Sequence, residues 1–129
     1  PAGAAFGAMP ETPERLLERL AELGIEQRTV SHPAVFTVEQ SQALRPQLAG
    51  GHSKNLFLAP RRPPAPFLLI VLEEDRKASV NALARALGAP PVSFGSAEQL
   101  MAQLGVEPGS VTPFGLVNAA PGAVRVAFD

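Results

Sequence analysis

A chain of 129 residues with 46% hydrophobic content fits one compact domain and can bury a substantial core. Its formal net charge of -1 and isoelectric point near 6.2 exclude a global basic field for nucleic acid, so any RNA contact must be local. The absence of cysteine excludes a disulfide framework and thiol catalysis, and two histidines, His32 and His52, without a carboxylate cluster speak against a metal centre or a cofactor built on one.

Residues Pro1 to Pro10 are small and apolar without the cationic start of a secretory signal, and read as a loose leader ending near Glu11. Thr12-Pro13-Glu14 supplies an N-cap, a proline at the first helical position and an acidic first turn. Leu16, Leu17, Leu20 and Leu23 follow at helical spacing, which predicts a helix from Pro13 to about Leu23, stopped by Gly24. A short strand is expected over Ile25 to Val30, a turn at His32-Pro33 into Ala34 to Thr37, and a second helix over Val38 to Leu48 interrupted by Pro46. Leu56 to Ala59 and Phe67 to Leu72 predict a hairpin, because Pro60-Arg61-Arg62-Pro63-Pro64 between them does not suit a sheet interior. The longest apolar run, Phe67 to Leu72, is far too short to cross a bilayer, so no membrane partner is expected and the expected location is the cytoplasm.

Lys77 to Leu87 repeats a helical pattern closed by Gly88, Val92 to Phe94 reads as a short strand, and Ser96-Ala97-Glu98-Gln99 opens a helix through Leu104 with a capping box. Phe114 to Val117 and Val124 to Phe128 read as two strands joined across Asn118 to Gly122. Interspersed strands and helices with hairpin signals predict a mixed α/β fold, its sheet largely antiparallel or a partial barrel, flanked by helices.

Two segments concentrate the chemistry. Gly50-Gly51-His52-Ser53-Lys54-Asn55 sets a single lysine between a glycine turn and the apolar strand start Leu56-Phe57-Leu58, where a fixed cation can hold an anion or a polarised carbonyl. The bland alternative is an exposed lysine that begins a strand. Gly105 to Asn118 is equally glycine-rich and poor in charge, and Gly115 inside an expected strand is costly unless a ligand or another backbone comes close.

With His32 to Glu39, these segments resemble the YbaK/ProX family of prolyl-tRNA-synthetase-associated editing domains, and within it the freestanding deacylases of alanyl-tRNA carrying the proline anticodon. The likeness runs from the first helix to Asp129, giving an expected editing domain over residues 12–129. Freestanding members usually continue through further helices past the strand that ends here, so the expectation is a domain without that C-terminal segment. The resemblance implies hydrolysis of the ester of mischarged aminoacyl-tRNA, with the tRNA acceptor end as partner and prolyl-tRNA synthetase as a further one. Lys54 would hold the terminal phosphate or the aminoacyl end, and Gly115, the second catalytic position, would stand in the facing wall, where absent side chains let peptide N–H groups approach the carbonyl oxygen. Gly109, Ser110 and Thr112 would form the facing wall, and Val35, Phe36 and Thr37 would shape the amino-acid pocket, although Phe36 equally suits plain core. Asn55 would bond substrate or satisfy its turn, and His52 would touch nucleic acid. Ser110 and Thr112 have no evident base, so an attacking water assisted by the ribose hydroxyl is expected rather than a covalent intermediate. Removal of cysteine instead of alanine, and a non-catalytic module that binds tRNA or a synthetase, stand as alternatives.

Overall fold

The computed structural model describes residues 10–31, 39 and 49–129, and the chain divides into two compact units, Met9–Gly50 and one built on Gly51–Asp129. In the first unit, helix α1 (Pro13–Glu22) starts as its sequence dictates: the Thr12 hydroxyl accepts the Arg15 backbone N–H at 3.2 Å and Pro13 occupies the first turn. It ends at Leu23, and Gly24 takes the left-handed conformation with φ of 72°. Leu20 is its buried residue. The strand expected over Ile25 to Val30 does not form. Its apolar alternation is weak, and a strand without a ladder partner has no pairing energy to hold it. The strand expected over Ala34 to Thr37 lies outside the described residues, as does the helix expected over Val38 to Leu48 apart from helical Glu39.

The second unit is an open four-stranded mixed sheet in the order β3-β1-β2-β4. Strands β1 (Ser53–Pro60) and β2 (Phe67–Glu73) form the antiparallel hairpin, with Lys54 opposite Leu72 and Leu58 opposite Leu68. Pro60 is tolerated as the last residue of β1, opposite Val92 of the short edge strand β3 (Val92–Phe94), which also runs antiparallel. Strand β4 (Val124–Phe128) pairs with β2 in parallel, Phe67 opposite Val124 and Val71 opposite Phe128.

Both faces of the sheet are covered, which explains why Phe67 to Leu72 is a continuous apolar run. On one face, Leu58, Leu68, Ile70 and Leu72 pack with Ala84 of helix α2 (Val80–Ala86) and with Val92. Helix α2 starts three residues later than the pattern suggested, because Ser79 is its N-cap and accepts the Ala82 N–H. On the other face, Phe57 and Leu69 pack with Leu100 and Leu104 of helix α3 (Ala97–Leu104). The capping box of α3 is present in full: Ser96 accepts from Gln99 N–H at 3.1 Å while the Gln99 side chain accepts from Ser96 N–H at 2.8 Å.

The strand expected over Phe114 to Val117 is instead a 3-10 helix, Pro113–Asn118, so the expected pairing of that segment with β4 is replaced by the β2 contact. Pro113 sits at its first turn and the Thr112 hydroxyl accepts the Phe114 N–H at 3.3 Å, a capped helical start rather than an extended one. Its other end is tied to α3, because the Asn118 amide donates to the Leu104 carbonyl at 2.9 Å. Among the described residues, no helix is long and apolar enough to cross a membrane.

Candidate active site

The two segments that stand out in the sequence meet at one end of the sheet. Alternation along β1 places Lys54 on the face of Leu56 and Leu58, towards α2, and Asn55 on the face of Phe57, towards α3. Asn55 reaches across to the second segment, donating from Nδ2 to the Val111 carbonyl at 2.9 Å. That bond fixes the orientation of the amide, since only its NH2 end can donate to a carbonyl. It leaves Asn55 Oδ1 buried with no hydrogen-bond partner among the described residues, an acceptor that costs stability unless something supplies a proton to it. Of the two roles the sequence left open for Asn55, the backbone contact is present, made 56 residues away rather than within its own turn.

Lys54 is half-buried, and its Nζ donates to the Arg76 carbonyl at 2.5 Å. Arg76 in turn pairs through Nε with Asp129 Oδ2 at 2.8 Å. The ammonium is thus tethered over the turn that follows β2, and one carbonyl bond leaves two of its three N–H donors for other acceptors. The registers bring the end of β2 beside the start of β1, with Glu73 opposite Ser53, and the end of β4 beside β2, with Phe128 opposite Val71. His52, half-buried, closes the hairpin end by accepting the Glu74 N–H on its carbonyl at 3.0 Å.

The facing segment is more committed to its own backbone than the sequence suggests. Gly109 takes φ of 90°, a conformation that favours glycine, and the exposed Ser110 donates its N–H to the Glu107 carbonyl at 3.0 Å. The Gly115 N–H donates to the Thr112 carbonyl at 3.0 Å, so it is not directed at an incoming oxyanion. Gly115 is a glycine for a different reason. A Cβ there would sit 2.9 Å from Leu104 Cβ and 3.0 Å from the Leu104 carbonyl oxygen, so the close approach is that of another backbone. The Thr112 oxygen accepts the Phe114 N–H, while its O–H remains able to donate.

The structure therefore joins the first segment to the second through Asn55 and Val111, while Lys54 and His52 bond instead to the turn that follows β2. Val35, Phe36 and Thr37, together with His32, lie outside the described residues. The Arg76 carbonyl and Asp129 carry no mark in the sequence, since only the registers of β1 with β2 and of β2 with β4 bring them to Lys54. Among the described residues, no group of three His, Cys, Asp or Glu side chains could hold a metal ion.

Residues 32–129, which include every element of this site, match the family described as the aminoacyl-tRNA editing domain. The chain belongs to that family. This editing domain is 34% identical over 128 residues to the prolyl-tRNA synthetase associated domain-containing protein 1 of Danio rerio, covering 99% of this chain and 68% of the relative. It is 39% identical over 116 residues to the Bos taurus protein of the same name, covering 88% of this chain and 67% of that one. The prolyl-tRNA editing protein ProX of Acetoanaerobium sticklandii is 29% identical over 116 residues, covering 90% and 70% respectively. The editing domain also shares its fold with the crystal structure of hypothetical protein APE2540, at a TM-score of 0.66 and 20% identity, over 89% of this chain and 73% of that one.

Proposed function

We propose that this editing domain is an aminoacyl-tRNA deacylase that hydrolyses the ester of mischarged tRNA, with alanine on the proline tRNA as its substrate. The observation that carries the reading is the Asn55 side chain, which joins the two segments through Val111 and keeps a buried, unpartnered Oδ1 next to Lys54 in the chain. Family membership over residues 32–129 and the ProX relative give that constellation its substrate class.

Lys54 and Asn55 leave β1 on opposite faces, so an acceptor end that uses both lies across the entrance of the strand. Lys54 holds the terminal phosphate or the ester carbonyl with its remaining donors, and Asn55 Oδ1 accepts an N–H of the aminoacyl group or a proton of the attacking water. An aminoacyl ester is an activated bond, so positioning and charge stabilisation suffice without a nucleophile triad. Thr112 donates its hydroxyl proton to the substrate, and Gly109 and Ser110 form the exposed rim of the same wall. Gly115 acts through position, letting the 3-10 helix close on Leu104. His52 contacts the nucleic acid, and Val35, Phe36 and Thr37 set the volume that admits alanine and refuses proline. A size filter of one or two methylenes is worth about 1–3 kcal/mol, enough to favour one substrate. The names of the relatives support prolyl-tRNA synthetase as a partner, and work on tRNA fits a cytoplasmic location.

The test is deacylation of alanyl-, cysteinyl- and prolyl-tRNA by the wild-type protein beside Lys54→Ala. Release of alanine, lost in the variant, is expected. Preferential release of cysteine would shift the substrate, and tight tRNA binding without hydrolysis of any ester would leave a binding module. A substrate lacking the vicinal ribose hydroxyl should bind and turn over poorly; unchanged turnover would remove that hydroxyl from the mechanism.

A further inference from the structure

The charges of the sheet unit are segregated along the strands. Its acidic side chains lie at the Lys54 end, in Glu73-Glu74-Asp75 and Asp129, or on and after α3, at Glu98 and Glu107. From Lys54 to Leu72, from Lys77 to Ala97 and from Pro108 to Phe128 the chain holds no aspartate or glutamate. Four arginines fall in those stretches: Arg61, Arg62, Arg85 and Arg125.

The fold gathers them around the segment that leads from α2 to β3. Arg61 follows the last residue of β1, donating its backbone N–H to the Pro91 carbonyl at 2.9 Å and its Nε to the Val92 carbonyl at 3.3 Å. Arg125 projects from β4 to donate Nη1 to the Leu87 carbonyl at 2.7 Å, at the C-terminus of α2. Arg85, in the last turn of α2, lines a hollow of 280 Å³ with Asn81, Ala84, Ala89 and Pro91. Arg62 is exposed in the loop beside Arg61. Among the described residues, the ion pairs of the chain involve other arginines, Arg15, Arg19 and Arg76. Two of the four guanidinium groups, those of Arg61 and Arg125, are therefore held by backbone carbonyls, pair with no carboxylate among the described residues and keep N–H donors to spare.

We propose that this arginine cluster is a second nucleic-acid contact, one that grips the phosphate backbone of the tRNA away from the ester. It rests on the deacylase reading only for the identity of the RNA. Lys54 and Pro60 are the second and last residues of the extended strand β1, so the Arg61 and Arg62 side of the cluster stands roughly 20 Å from the Lys54 end. At the ~3.4 Å rise per nucleotide of a duplex strand, that is about six base pairs, the reach of a stem and not of a terminal nucleotide. Planar guanidinium forks suit phosphate oxygens, and among the described residues no carboxylate pairs with these four. The near-neutral net charge of the whole protein conceals the patch, because the acidic residues of the sheet unit fall in other stretches of its sequence.

Titration of proline tRNA at several salt concentrations tests it, with wild type, the pair Arg62→Glu with Arg85→Glu, and the pair Arg62→Lys with Arg85→Lys. The two positions are chosen because Arg61 and Arg125 also hold backbone carbonyls, and a thermal melt confirms folding. The glutamate pair is expected to bind at least tenfold more weakly, and its log–log salt slope should be shallower by about 0.7–0.9 for each phosphate it no longer neutralises. The lysine pair should keep the wild-type slope. Equal affinity and equal slope in the glutamate pair, or no tRNA binding by the wild type, would overturn the proposal. If charge reversal abolishes binding while the wild type hydrolyses no ester, the patch stands and the deacylase reading falls. Hydrolysis by the wild type, with binding indifferent to the arginines, removes the patch and keeps the deacylase.

Discussion

Asn55 and Gly115 show how one side chain decides between structural and chemical roles. Asn55 makes a single satisfied bond and leaves an equally buried acceptor open, which is an expensive arrangement for a purely structural residue. Asn55→Ala should therefore cost only about 1 kcal/mol in a denaturant titration, the worth of one hydrogen bond, because it also removes the unpaired oxygen. Its effect on deacylation should be far larger than that stability loss explains, and equal losses in both would make Asn55 structural. Lys54→Ala should lower kcat/KM by ~10²–10³-fold, the range for removing one oriented electrostatic donor, with an unchanged melting temperature. Gly115→Ala should destabilise by about 1–3 kcal/mol through overpacking against Leu104, seen as a lowered melting temperature. The sequence marked Gly115 as unusual; it did not say that the neighbour is the end of α3.

At the scale of elements, local chemistry and tertiary packing divide the work. Helix α3 is written in its own residues: capping box at Ser96 and Gln99, apolar Leu100 and Leu104, and Gly105 at φ of 68° closing it. Ser96→Ala should cost about 1 kcal/mol, measurable as a shift in denaturation midpoint with an unchanged slope. The segment Pro113–Asn118 was not legible in this way. Phe114, Leu116 and Val117 are apolar enough for a strand, but six residues cannot separate a short strand from a helical turn by periodicity. What decided it was the N-cap at Thr112, the proline after it and the two ties to Leu104, through the Asn118 amide and the bare Gly115. The strand expected over Ile25 to Val30 failed for a related reason, since alternation alone cannot report whether a partner strand exists.

At the scale of the whole molecule, the sheet stands between two apolar layers that share no side chain. Leu58, on the α2 face, and Leu69, on the α3 face, are both fully buried. Leu58→Ala and Leu69→Ala should each cost about 2–5 kcal/mol by calorimetry or denaturant titration, since each empties a packed layer. A cost well under that range at either position would mean that its layer collapses to fill the space.

The sequence by itself determined the hairpin, α1 and α3 with their N-caps, α2 apart from its start, and the two glycine-bearing segments, because propensity, capping and alternation are interactions within a few residues. It also determined the family, through those segments. The parallel docking of β4 on β2, the docking of the 3-10 turn on Leu104, the reach of Asn55 to Val111, the Lys54 tether to Arg76 and the gathering of the arginines around the end of α2 were decided by tertiary structure alone. Each depends on contacts between residues far apart in the chain, where the geometry of packing and not the local pattern selects the partner.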